Sequence, residues 1–206
     1  DCISSAASDV YKGQGPDRLR RLVDGAKREG QLTIYTSAQT SDLGPVVKAF
    51  EQKYGIAASL WRAGSEAVLN RTLQENRAGR YTVDIVETNG PGLESLHREE
   101  LLQLVKSPHH EDLIAPAVHP NGKWVGTRLN VFVQAYNTDL VTKEELPETW
   151  EDLLDPKWKG RLGIEAEDSD WLAGVFGEIG EERGRELFEN IVATNGMSTR
   201  KGHTPV

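Results

Sequence analysis

The sequence predicts an α/β protein in two successive parts, each with a mostly parallel sheet flanked by helices. Between residues 17 and 102, short apolar runs alternate with amphipathic helical stretches in the order strand, helix, strand, helix, strand, which is what a parallel sheet needs. Residues 124–138, "WVGTRLNVFVQAYNT", then read as one extended segment, longer than the usual run of about five or six residues in a strand. Such a segment suggests a passage from one part to the other. Beyond it the strand–loop–helix alternation begins again.

Each element has a local reason. In "DRLRRLVDGAKRE", 17–29, Leu19, Leu22, Val23 and Ala26 fall on one helical stripe, and Gly30 supplies the stop. "QLTIYTS" is the first strand, followed by a polar loop, "SAQTSDLG". A second helix is expected over 45–54, with Val46, Val47, Phe50 and Tyr54 inward and Gly55 ending it. "IAASLWR" is the second strand, Ser65 the cap of a third helix through Ala78, and "YTVDIVET" a buried third strand. "NGPG" reads as a turn before a fourth helix, "LESLHREELL". In the later part, Leu172, Val175, Phe176 and Ile179 mark one side of an acidic helix, and "EERGRELFENIVATN" forms another.

The totals exclude some classes of function. Across 206 residues the net charge is −8 and no basic stripe appears, which argues against nucleic acid, since phosphate binding needs a basic face. No apolar run approaches the roughly 20 residues that span a bilayer. The single cysteine, Cys2, has no partner in this chain for a disulfide. It reads as a tail residue without a role, as the remnant of a lipid-attachment site, or as a partner for a cysteine elsewhere. Residues 1–16 read as a flexible tail, and "SSAAS" suits the neighbourhood of a processed signal peptide.

In open α/β sheets, ligands sit beyond the carboxyl ends of strands, where helix N-termini begin. Three loops qualify, "TSAQT", "RAGSE" and "TNGPG", with Thr36, Ser37, Gln39, Ser65, Glu66, Asn89 and Gly90 as their candidate contacts. The hydroxyl and amide groups equally suit plain helix capping. In the later part "EAEDSDW", 165–171, gathers four carboxylates and a tryptophan. One reading makes Asp168 or Ser169 a helix cap and Asp170 a first-turn acid. A second makes the stretch a cleft wall, where Asp168 and Asp170 hold a cation or metal ion and Trp171 packs on the ligand. A third pairs Glu165 with Asp168 for acid–base chemistry. "HHED", 109–112, reads as a solvated loop, and His203 as an exposed histidine or a weaker cleft contact. No phosphate-loop, dinucleotide, serine-hydrolase or zinc-protease motif is present.

Read together, "EGQLTIYTS", "AFEQKYGI", "RAGSEAVLNRTLQENRAGRYTVDIVET", "YNTDLV", "PETWEDLLDPKWKGRLGI" and "NGMSTRKGHT" follow in an order that resembles bacterial extracellular solute-binding proteins. The iron(III)-type substrate-binding subunits of ABC transporters are the nearest group. The resemblance runs from about residue 17 to 204, and the "PETWEDLLDPKWKG" block is its most specific part. It implies a type II periplasmic-binding-protein fold: a first lobe over 17–128, a hinge crossing over 129–137 and a second, incomplete lobe over 138–206. It also implies a chain that looks truncated, because family members are usually longer.

Further implications concern function. The protein would be exported, periplasmic or extracellular, monomeric, and would deliver a small solute to a membrane permease without catalysis. That solute would be iron, another metal ion, or a polar or cationic organic molecule; a metal would be ligand and not cofactor. The alternatives are an enzyme on the same fold and a detached sensor domain. Gln39 stands where ferric-ion binders place a histidine. Asn89 stands where they place a glutamate, with Glu87 two residues earlier, and their paired tyrosines would fall beyond Val206. Relatives that hold an anion do so with a small uncharged loop, where this chain has Asp168, Ser169 and Asp170. Two like charges at roughly 4 Å repel by about 4 kcal/mol in an intermediate dielectric. The resemblance therefore implies a cleft suited to a cation or a donor-rich organic solute.

Overall fold

A computed structural model describes residues 17–166 and 168–201. The expected tail, Cys2 and His203 lie outside these residues. Contacts divide the chain into two compact units, with the boundary between Leu129 and Asn130.

The first unit follows the predicted alternation. Helix α1 (Arg18–Glu29) ends at Gly30, whose φ of 78° is the left-handed cap that a side chain would oppose. Of its predicted stripe, Leu19 is exposed, because only the later turns of α1 reach cover. Strand β1 (Gln31–Thr36) lies between β2 (Ala57–Arg62) and β3 (Ile85–Glu87), and both pairings are parallel. Helix α2 (Thr40–Tyr54) links β1 to β2, and α3 (Ser65–Arg77) links β2 to β3. Helix α4 (Gly90–Arg98) follows β3.

Five local expectations are corrected. Helix α2 starts at Thr40, five residues before Pro45, so much of the expected polar loop is helical. Proline lacks an N–H and leaves one turn unbonded, a defect tolerated here because Pro45 lies on the exposed side. Val46, expected inward, shares that side and is 61% exposed. Ser65 is the first helical residue of α3 and not its cap; Gly64 holds the cap position and its carbonyl accepts from the Val68 N–H at 3.0 Å. The third strand shrinks to three residues and is not fully buried, since β3 lies at the edge of the sheet and Ile85 is 46% exposed. "NGPG" is the cap and first turn of α4: Asn89 Oδ1 accepts from the Gly92 N–H at 3.3 Å, and Pro91 occupies an early position that needs no N–H partner.

The core of this unit is small. Ile34, Tyr35, Ile56, Val68, Leu93 and Leu96 are buried, each contributing about 1.5–3 kcal/mol where fully removed from water. A polar clasp fastens α3 to the sheet. The Tyr35 hydroxyl donates to Glu75 Oε2 at 2.8 Å, Thr82 donates to the same oxygen, and Arg71 Nε donates to Oε1 at 2.8 Å. The Arg71 guanidinium lies 4.4 Å from the Tyr35 ring centre and 4.3 Å from that of Trp61. Burial pushes the Glu75 carboxyl up, but the hydrogen bonds from Thr82, Arg71 and Tyr35 overcome it and hold the group at about 2.

The second unit pairs β4 (Gly163–Glu165) with β5 (Ser198–Arg200), again in parallel. Between them run α5 (Ser169–Ile179) and α6 (Glu181–Asn195). As predicted, Leu172, Val175, Phe176 and Ile179 pack on Leu187, Phe188 and Ile191. The helices meet closely at Gly184, where an added Cβ would stand 2.5 Å from Phe176 Cδ1.

The signature block 147–160 is a packing device. Asp152 accepts the N–H groups of Thr149 at 2.9 Å and Glu148 at 3.0 Å, which holds its carboxyl below the ordinary value. Trp158 is buried, and Trp150 packs on Phe188. Asn195, 2% exposed at the end of α6, donates to the carbonyls of Leu153 and Asp155 at 2.7 and 2.9 Å, tying the block to the helix.

The extended segment behaves differently from a strand. Val125 makes an isolated antiparallel bridge with Val118, and residues 126–136 have no ladder partner among the described residues. Leu129, Val131 and Val133 are 81%, 77% and 80% exposed.

The clasp predicts a pH dependence. A carboxyl lowered from 4.5 to about 2 contributes stability that is complete above pH 4.5 and lost as the pH falls towards 2. Thermal melts of Glu75→Gln should therefore lie well below wild type at pH 6, and the gap should narrow steadily below pH 4.5 and close only below about pH 2. A gap independent of pH would remove the charge from the account.

Candidate functional site

The carboxyl pole of the first unit's sheet is built by topology. β1, β2 and β3 run parallel, and each is followed within three residues by a helix, so the starts of α2, α3 and α4 face the same edge. Their N-terminal N–H groups and dipoles make this the electropositive side of the unit. The loops are laced together: the Ser37 N–H donates to the Glu87 carbonyl at 2.9 Å, and the Ala63 N–H to the Thr36 carbonyl at 3.1 Å.

Glu87 is the hub. Its Oε2 accepts from the Thr36 hydroxyl at 2.5 Å and from the Ala38 N–H at 3.2 Å. Its Oε1 lies 3.1 Å from Arg128 Nε, and Arg128 Nη2 donates to Ser37 Oγ at 3.1 Å. The Glu87 side chain is 14% exposed and that of Arg128 35%. Five residues drawn from β1, its loop, β3 and the long segment 124–138 are thereby fixed to one another.

The sequence candidates separate on this geometry. Thr36 is 1% exposed, and its hydroxyl both donates to Glu87 and accepts from the Ala38 N–H at 2.9 Å. It holds the loop, and its burial leaves little of its surface for a solute. Ser37 is half-buried beside Arg128, and Gln39 is exposed at the start of α2. Ser65 and Glu66 open α3, with Glu66 exposed, and Gly90 opens α4 beside the capping Asn89. Arg128 was absent from the sequence candidates. It lies 91 residues from Ser37, and no local pattern announces a pairing at that range.

In the second unit, Glu165 ends β4 at 6% exposure, Asp168 precedes α5 without a side-chain cap bond, and Asp170 lies in the first turn. Asp170 and Trp171 line one open depression with Phe132, Trp150, Glu178 and Ile179. Trp171 packs edge-on against Phe188, with ring centres 5.7 Å apart, and against Trp150 at 5.5 Å. Much of its surface thus belongs to the core. Among the described residues, no three His, Cys, Asp or Glu side chains gather as a metal site. The "HHED" stretch is an exposed 3-10 turn, with His109 Nδ1 3.4 Å from Asp112 Oδ2.

Comparison with known proteins places this arrangement. Residues 82–203 match the family described as bacterial extracellular solute-binding protein, and the chain belongs to that family. It is 24% identical over 184 residues to the Fe(3+)-binding periplasmic protein of Serratia marcescens, covering 88% of this chain and 54% of the relative. Among solved structures it is similar to iron-bound HitA from Pseudomonas aeruginosa, with a TM-score of 0.67 at 25% identity, covering 81% of this chain and 55% of that one. It also shares the fold of the periplasmic binding protein AfuA from Actinobacillus pleuropneumoniae, bound to fructose-6-phosphate, with a TM-score of 0.66 at 24% identity, over 86% of this chain and 59% of that one. The chain thus spans about half the length of the relatives it matches. The expected fold class, α/β with parallel sheets flanked by helices in the manner of periplasmic binding proteins, is borne out.

The hub assigns Thr36 a structural role that can be measured without any ligand. Thr36→Val keeps the shape and removes the donor, and should lower stability by about 1–2 kcal/mol in denaturant unfolding. Unchanged stability combined with lost solute binding would return Thr36 to the ligand contacts.

Proposed function

We propose that this chain forms part of an exported solute-binding protein that captures a small ligand and presents it to an ABC-transporter permease. The supporting observation is the carboxyl pole of the first unit, where three strand ends and three helix starts face one edge in a chain of this family. A ligand there meets N–H groups and side chains preset by the sheet, and its differential affinity for a closed form is what drives closure. Ser37, Gln39, Ser65, Glu66, Asn89 and Gly90 are its contacts in the first unit, and Asp168, Asp170, Trp171 and His203 in the second. Residues 129–137 serve as the hinge. No helix among the described residues is long and apolar enough to cross a membrane. The protein acts as a monomer on the exported side, with Cys2 available for lipid attachment.

The relatives' ligands bound the choice: one is described as Fe(3+)-binding and one solved structure holds a sugar phosphate. Binding without conversion is favoured over acid–base catalysis, because the relatives are described as binding proteins. Calorimetry on the full-length protein carrying this chain should show saturable binding of Fe(3+), supplied as its nitrilotriacetate complex, or of a small organic solute, with the solute recovered unchanged. Chemical turnover would reject the binding role.

The acidic helix start is tested separately. Asp168→Asn combined with Asp170→Asn should weaken solute binding while leaving the melting temperature within a few degrees of wild type. Unchanged affinity would leave the two acids as charges that stabilise α5.

A further inference from the structure

The hub at the carboxyl pole leaves one feature unused by the protein, the outer edge of the Arg128 guanidinium. A guanidinium offers five N–H donors in two forks, one along the Nε–Nη2 side and one at the Nη1–Nη2 end. The side fork is occupied: Nε meets Glu87 Oε1 at 3.1 Å and Nη2 meets Ser37 Oγ at 3.1 Å. The end fork has no acceptor among the described residues, and the side chain keeps 35% exposure. The hydrogen bond to Ser37 and the ion pair with Glu87, on separate segments, restrain the group, so less rotamer freedom remains to be lost when a ligand arrives. Glu87 is already engaged within the hub: Oε2 accepts from the Thr36 hydroxyl and the Ala38 N–H, and Oε1 is ion-paired to the Arg128 guanidinium.

We infer that Arg128 is the ligand-binding cation of the first unit, and that the solute carries an oxyanion group, carboxylate or phosphate, received by the end fork of its guanidinium. The inference rests on the solute-binding reading and narrows it. A planar fork matches two oxygens of a carboxylate or phosphate, whereas a guanidinium has no lone pair to offer a bare metal cation. The helix starts add to the attraction, and α4 opens without an acid in its first turn. Asp42 and Glu66 stand in the first turns of α2 and α3 and oppose it, so the guanidinium supplies the decisive charge. This reverses, for the first unit, the preference for cationic solutes that the acid-rich sequence suggested. Glu87 is then a positioning residue: it aims Arg128 and does not touch the solute.

The test compares fructose 6-phosphate, fructose and inorganic phosphate by calorimetry on the full-length protein, alongside Fe(3+) nitrilotriacetate. Wild type should bind one of the phosphate-bearing probes at least tenfold more tightly than fructose, and the two phosphate arms separate an ester from the free ion. Arg128→Gln should abolish that preference. Arg128→Lys, which keeps the charge without the fork, should retain part of it and guards against a folding defect in the first variant. Glu87→Gln should reduce the preference while Arg128→Lys in that background adds little further loss. Binding of phosphate probes that Arg128→Gln leaves unchanged would overturn the assignment and spare the solute-binding role. Binding of iron without any preference for oxyanions would do the same. Failure to bind any small solute would bring down both.

Discussion

The parallel register of β1 between β2 and β3 is the constraint on which the first unit's site depends. Parallel neighbours cannot be joined by a hairpin, so each connection must run back along the sheet, and here each does so as a helix. The three returning helices then begin at one edge. Nothing about ligand binding is needed to produce that edge, yet it gathers N–H donors that no strand satisfies. Glu87 and Arg128 use the same geometry: β3 ends where β1 ends, so a carboxylate on one strand can tie the loop of the other. An acidic chain thereby gathers helix starts and a paired arginine at one edge, which its net charge alone does not announce.

The two units balance polarity in different ways. In the first, charged groups are paired within the fold, with the partly buried Glu75 held by three donors and Glu87 by three more partners. In the second, aromatic packing carries the load, with Trp150, Trp171 and Phe188 meeting edge-on or tilted. The signature block "PETWEDLLDPKWKG" is explained by this packing: its tryptophans are core residues, its aspartates close turns, and Asn195 fastens it from a distance. The motif most specific to the family is thus a scaffold feature, and its value for recognising the family says nothing about the ligand.

How much could be read beforehand follows from the range of each interaction. The alternation of strands and helices, the glycine stops at Gly30 and Gly55 and the apolar side of α5 are set by neighbours a few residues apart, and all were legible. Helix starts were misplaced where proline and glycine mislead: Pro45 lies inside α2, and Gly90 and Pro91 open α4. The depth of β3 was overestimated because its apolar run does not reveal that it forms a sheet edge. The loops at the strand ends were legible from the alternation of strands and helices. What ties them together was not, since the Thr36 hydroxyl is spent on Glu87 and Ala38 and Arg128 joins them through contacts 41 and 91 residues distant.

Residues 129–138 contain neither proline nor a charged side chain, and residues 129–136 have no ladder partner among the described residues while Leu129, Val131 and Val133 are exposed. A stretch of that kind will accept a further strand from whatever polypeptide offers one, because a neighbour would satisfy its amides and cover its valines in a single step. The everyday consequence is colloidal: at high concentration, preparations in which this edge stays bare will drift towards sheet-mediated association, and detergents or short β-forming peptides that mask it will keep them dispersed.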